Sequence, residues 1–217
     1  MTATTKTTKW NEFEEYLEQT MRDNHIAGAA VAVYAEGRVI YAKGFGVRDI
    51  TTKEPVTPES IFGVASVSKS FTAMAMMQLV DARMVSLDDP VTKYIPELTL
   101  HGADMSKVTV RHILSHSTGL PPMTRREDII RLEDHVKFLN GEDYEILGKP
   151  GEYFSYANDT FLLNGLIIER LTGRLYRRYM THHILDAIGM NRSTYSLEEL
   201  PKMGNVTVPY NFNLETG

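Results

Sequence analysis

FGVASVSKSFTAMAMMQLV, residues Phe62 to Val80, sets a serine and a lysine three positions apart at the head of a long apolar run. A segment that is apolar nearly all round predicts a buried core helix, with methionine as gap filler. If that helix starts near Ser66, the side chains of Ser66 and Lys69 are neighbours one turn apart. A serine hydroxyl is a poor nucleophile without a base in hydrogen-bond reach. An ordinary lysine, with a pKa near 10.4, is protonated at neutral pH and cannot serve. Burial disfavours its charged form, so a lysine rooted in TAMAMMQLV is expected to give up or relay its proton more readily. A serine at a helix start also sits among unsatisfied backbone N–H groups that favour a developing oxyanion. The pair therefore suits acyl transfer, although Ser-x-x-Lys is too short to decide it alone. Neither Ser68 nor Ser70 has a lysine three residues on.

Outward from this run, the first 57 residues predict a helix and a hairpin. Trp10, Phe13, Tyr16, Leu17 and Met21 recur at helical spacing up to about Asn24. Two β-rich runs, Ala29 to Tyr34 and Val39 to Phe45, flank the turn Glu36-Gly37. Gly44-Phe45-Gly46 opens like a dinucleotide-binding loop, but Asp49 stands where the third glycine belongs and no helix follows directly.

Downstream of the run the pattern is mainly helical. LDDPVTKYIPEL, with two prolines, predicts loop and short extended pieces. KVTVRHILSHSTGLPP predicts a helix entered near Thr109 and stopped by Gly119 and Pro121. REDIIRLEDHVKFLN and NDTFLLNGLIIERLTG follow, the second closing at Gly173, and a last helix covers about Leu175 to Ile188. Only NVTVPYNF, near the end, offers a further strand. A two-stranded hairpin is marginal in water, and its edges invite further strands. The expected organisation is residues 1–57 as helix and hairpin of a sheet domain, 58–200 as a mainly helical domain, and 201–217 as the start of a return to the sheet.

Composition narrows the function classes. The 217 residues are 42% hydrophobic, carry a net charge of −5 and contain no cysteine. A core of ordinary size is available, while disulfides, thiolate metal sites and a cysteine nucleophile are excluded. The acidic balance gives no general attraction to nucleic acid. The basic clusters Arg125-Arg126 and Arg174 with Arg177-Arg178 are short enough to be solvated helix faces. No apolar run reaches the length of a membrane span and the first residues lack a signal-peptide core, so a cytoplasmic location is the expectation. His112 and His116 have the i, i+4 spacing of a zinc pair but lack the glutamate of His-Glu-x-x-His and a third ligand; a structural or surface role is expected. The adjacent His182 and His183 would face different sides of a helix. No Gly-x-Ser-x-Gly elbow exists, and Ser115 and Ser117 suit turn and cap chemistry.

The only Tyr-x-Asn in the chain is Tyr156-Ala157-Asn158, between the Pro150-Gly151 turn and a helix. In an extended segment its phenol and amide point the same way, towards one cleft. SVSK, YAN, TVRHILSHSTGLPP, PGEYFSYANDTFLLNGLIIERLTGRLYRRYM and LDAIGMNRSTYS together resemble the class C type branch of the serine β-lactamases and penicillin-binding proteins. That branch includes D-alanyl-D-alanine carboxypeptidases, D-aminopeptidases and lactamase-like esterases. The resemblance runs from about Trp10 to Tyr210. It implies an α+β fold in which the hairpin belongs to a larger antiparallel sheet packed with helices. It also implies Ser66 as acyl-forming nucleophile, Lys69 as the group that takes or relays its proton, and Tyr156 as partner in protonating the leaving group. Asn158 would orient Lys69 and contact the substrate. The implied substrate is a D-amino-acid peptide, a small ester or a β-lactam, with no metal or organic cofactor. A Lys-Thr-Gly or His-x-Gly motif, which such enzymes carry on a strand beside the cleft, does not follow before Gly217. The expectation is that the remaining strands come from a further C-terminal part or another chain, and that these 217 residues alone are catalytically incompetent. The rival expectation is a non-catalytic binding or regulatory module that keeps the fold.

Overall fold

The computed structural model describes residues 3–122, 126 and 128–211. They form an α+β protein with two compact units, the described residues of 3–63 with 197–211 and those of 64–196.

In the first unit, helix α1 (Ala3–Asp23) precedes an antiparallel hairpin of β1 (Gly28–Ala35) and β2 (Arg38–Gly46). Glu36 and Gly37 both have positive φ, 52° and 76°, which matches the twist of a tight hairpin turn. The register shifts between Val33 and Tyr34, leaving Ile40 as the extra residue of a bulge. α1 lies on β2 through aromatic contacts: Trp10 stacks on Tyr41 at 4.4 Å and Phe13 meets the same ring edge-on at 6.0 Å. Tyr41 donates a hydrogen bond to Glu14, which also pairs with Lys43. Gly44 lies inside β2, so it belongs to a strand and not to a phosphate loop. The strand expected of NVTVPYNF is absent over its described residues. Val206 makes one isolated bridge to Ile61, and Phe212 lies outside the described residues. The side chain of Asn205 ties this segment down, accepting from Ser60 Oγ at 2.7 Å and donating to Thr57 Oγ1 at 3.0 Å. A short helix α7 (Leu200–Met203) precedes it.

The second unit is helical and holds the main core. It comprises α2 (Ser68–Asp81), α3 (Val110–Leu114), α4 (Leu132–Asn140), α5 (Asn158–Thr172) and α6 (Tyr176–Tyr179), which runs on into a wider π-turn over Met180–Leu185 and a 3₁₀ turn over Asp186–Ile188. α5 is central. Phe161, Leu163, Leu166, Ile167 and Ile168 are all buried, and Gly173 ends the helix in the left-handed conformation. Each fully buried aliphatic of this kind contributes about 1.5 to 3 kcal/mol. α2, α3 and α4 pack around it with Met76, Ile113 and Leu139 fully enclosed.

Two sequence expectations fail here for identifiable reasons. α2 is not buried all round: it buries Thr72, Ala75, Met76 and Leu79, while Met74 and Met77 are 45% and 41% exposed. One face packs; the other is left open. The helix entered at Thr109 stops at Leu114, well before Gly119. Thr109 caps it as expected, accepting from the His112 amide, but His116 adopts a left-handed φ of 54° and the Ser117 amide returns to the His112 carbonyl. That is a helix C-cap of the type usually made by glycine. Gly119, at φ 80°, serves a different purpose: a Cβ there would stand 2.3 Å from the Gly148 carbonyl oxygen, so its lack of a side chain lets residues 117–119 lie against 147–151.

Candidate active site

The site is assembled from two short stretches of the helical unit. Ser66 lies in a 3₁₀ turn, Ala65–Val67, that leads into α2, so the α-helix begins two residues later than expected. Lys69 follows in the first turn of α2, three residues on and so on the same side as Ser66, and its Nζ donates to Ser66 Oγ at 3.1 Å. The preceding residue, Ala65, has φ 43°, a conformation that costs a non-glycine residue about 1 to 2 kcal/mol. Its effect is a sharp entry into the turn that leaves the Ser66 hydroxyl exposed. The first N–H groups of such a turn have no acceptor within it, which leaves the Ser66 amide available as a donor.

The second stretch is Ser155 to Asn158. Burial alternates along it: Ser155 and Ala157 are buried, Tyr156 and Asn158 are exposed. This is the two-residue period of an extended segment, and it puts the phenol and the amide on one side. Tyr156 donates to Ser66 Oγ at 2.6 Å. Lys69 Nζ donates to Asn158 Oδ1 at 2.7 Å and lies 4.8 Å from the centre of the Tyr156 ring and 5.5 Å from that of Phe161. The four residues singled out by their motifs are thus linked in one cluster: Lys69 and Tyr156 both meet the Ser66 hydroxyl oxygen, and Asn158 holds Lys69.

The electrostatics differ from the expectation in one respect. Lys69 is half-buried at the open end of α2 and not enclosed by apolar side chains, because the packed face of the helix begins only one turn later, at Thr72. Tyr156 is the group displaced from its usual range. The Lys69 ammonium beside it, and then its hydrogen bond to Ser66, hold the phenol pKa below the ordinary value near 10.

Residues 13–212 match the beta-lactamase family. The chain belongs to that family. Protein flp of Staphylococcus aureus (strain MW2) is 30% identical to this beta-lactamase family chain over 190 residues, covering 85% of the chain and 38% of flp. The octameric penicillin-binding protein homologue from Pyrococcus abyssi is 34% identical, with a TM-score of 0.84 over 94% of this chain and 48% of that one. A class C beta lactamase shares the fold, with a TM-score of 0.77 over 96% of this chain and 59% of its own at 24% identity. The chain therefore spans less than half the length of the first two relatives. The family resemblance carried by the SVSK and YAN motifs is borne out, as is the α+β fold class.

One residue at the site of this beta-lactamase family member escapes the motif search. His116, expected to be structural or superficial, is only 8% exposed, and its ring centre lies 4.3 Å from that of Tyr156. The sequence carries no signal for it, because the pattern there predicts a helix running on to Gly119 and the stop at Leu114 appears only in the structure. His112, its i, i+4 partner, instead turns back to accept from the Thr109 amide. Among the described residues no group of three or more His, Asp or Glu side chains is placed to hold a metal ion, and no helix is long and apolar enough to cross a membrane. Arg126 pairs with Asp128, and Arg174 meets His183, as solvated clusters do; Arg125 lies outside the described residues.

Proposed function

We propose that this chain carries the acylation site of a serine hydrolase that cleaves an ester or amide, of the kind found in D-amino-acid peptides, small esters and β-lactams. The observation that carries the reading is the convergence of Lys69 Nζ at 3.1 Å and Tyr156 Oη at 2.6 Å on Ser66 Oγ. With the phenol ionised, the 2.6 Å contact reverses direction and Ser66 donates to Tyr156. As Ser66 Oγ bonds to the substrate carbonyl carbon, its proton passes to the phenolate. The Ser66 amide faces the oxygen that takes up negative charge. Collapse of the adduct breaks the bond to the leaving alcohol or amine, which takes that proton from Tyr156. Water then hydrolyses the acyl-enzyme by the reverse path. Asn158 holds Lys69 beside the phenol, where its positive charge favours the phenolate, and in this reading Tyr156 serves as the base.

A fluorescent fluorophosphonate and a fluorescent penicillin test this on the intact protein. Covalent labelling that disappears in Ser66→Ala is the expected result. Labelling that persists in Ser66→Ala places the nucleophile elsewhere, and absence of labelling by either probe supports the non-catalytic module.

A further inference from the structure

We propose that His116 is a positioning residue for Tyr156, clamping the backbone on both sides of the phenol; this rests on the hydrolase reading above. The Ser155 amide donates to the His116 carbonyl at 2.8 Å, and the Ala157 amide donates to His116 Nδ1 at 3.3 Å. One residue thus holds the N–H before Tyr156 and the N–H after it. Its ring also packs on the phenol at 4.3 Å with 32° between the planes, and on Phe161 at 5.3 Å. Tyr156 is left with little freedom except rotation about its own side-chain bonds, and the stacked imidazole restricts that too. The hydroxyl is thereby delivered to Ser66.

The cost of this arrangement points the same way. His116 sits in the left-handed conformation, φ 54°, at a helix end where glycine or asparagine is usual. Strain of about 1 kcal/mol at one residue persists where the surroundings impose it, and it collects at functional sites. Here the left-handed turn directs the ring back onto Tyr156 while leaving the carbonyl on Ser155. The clamp also fixes the chemical form of the histidine. An Nδ1 that accepts the Ala157 N–H carries no proton, so the ring is the neutral tautomer with hydrogen on Nε2. Burial first, and then the positive charge of Lys69, push the His116 pKa below its usual value and favour that neutral form. An imidazolium could not hold Ala157 and would compete with Lys69 for the phenolate.

Two substitutions separate the clamp from mere packing. His116→Asn keeps an acceptor where Nδ1 stands and tolerates the left-handed backbone. His116→Phe keeps the ring and loses the acceptor. Pre-steady-state acylation of the intact protein by a p-nitrophenyl ester is the readout. His116→Phe is expected to slow acylation about 10- to 100-fold with KM little changed, the scale of a misplaced catalytic group, while His116→Asn retains most of the rate. Wild-type rates in His116→Phe overturn the role. A slowed His116→Asn beside a wild-type-like His116→Phe transfers the effect to ring packing and overturns the clamp. ¹⁵N NMR of the wild-type histidines decides the matter if His116→Phe does not fold: an unprotonated Nδ1 at neutral pH is required, and a protonated one overturns the assignment. If wild-type protein shows no Ser66-dependent acylation, the hydrolase reading itself falls and takes this role with it.

Discussion

At the scale of single residues, the proposed mechanism makes the active form of Tyr156 depend on a neighbour's charge. The Lys69 ammonium stabilises the phenolate, so the rate of acylation is expected to rise with pH through a midpoint below 10. Replacing Lys69 by methionine removes the positive charge, and the phenol pKa returns upward. The expected result is a midpoint shifted towards about 10 and a loss of about a hundredfold or more at neutral pH, the range of a lost general base. The pH profile of kcat/KM checks it; an unmoved midpoint would mean that Tyr156 does not titrate in this range. The four motif residues were legible in the sequence because the proposed reaction would dictate their types and spacing. His116 was not. Its contribution comes through a backbone angle and through amides at 155 and 157, about forty residues away, and an i, i+4 histidine pair invites a search for metal ligands that finds none.

At the scale of elements, short-range polar anchoring sets several boundaries that periodicity cannot show. Asp89, in the proline-bounded segment before the 3₁₀ turn Val91–Lys93, accepts from the Ser86 amide at 2.9 Å, from Lys93 at 3.0 Å and from the Tyr94 hydroxyl. These bonds, that from Tyr94 foremost, lower its carboxyl pKa to about 2. A carboxylate whose pKa is lowered by folding adds stability above its unfolded pKa and loses it as pH falls through the folded one. Asp89→Asn is therefore expected to cost about 1 to 3 kcal/mol at neutral pH, the worth of hydrogen bonds to a charged group. Urea denaturation should show the difference from wild type closing between about pH 4 and pH 2. A difference that is flat with pH would remove Asp89 from the anchoring. The sequence reveals this segment only as loop, because its order comes from one carboxylate meeting three partners and not from any repeating apolar pattern. The premature end of α3 has the same origin: the stop lies in the backbone angle of His116, a residue type with no strong preference for ending helices.

At the scale of the whole molecule, α5 supports the helical unit, and its burial makes its interior intolerant of cavities. Ile167→Ala is expected to destabilise the protein by about 2 to 5 kcal/mol in chemical denaturation. A loss below about 1 kcal/mol would show that neighbouring side chains collapse into the space. The fold class was legible because the helical period dominates from Ser66 onward while the β-period is confined to residues 28–46. The less legible part is the segment around Asn205. NVTVPYNF has strand composition, yet its described residues make one bridge and join residues 57–61 through the Asn205 side chain and through backbone bonds of Asn205 and Thr207 to Ile61. Composition records what a strand accepts; it does not say whether a partner is aligned beside it.

The link between Tyr156 and Ser66 spans 90 positions of chain, and that between Lys69 and Asn158 spans 89. On the proposed mechanism, neither half of the centre is chemically competent before α2 and α5 dock. Reactivity towards a covalent probe is thus a clock for that one event: in a refolding experiment, the moment at which Ser66 becomes labelled marks the arrival of the two helices, while circular dichroism would report their formation earlier.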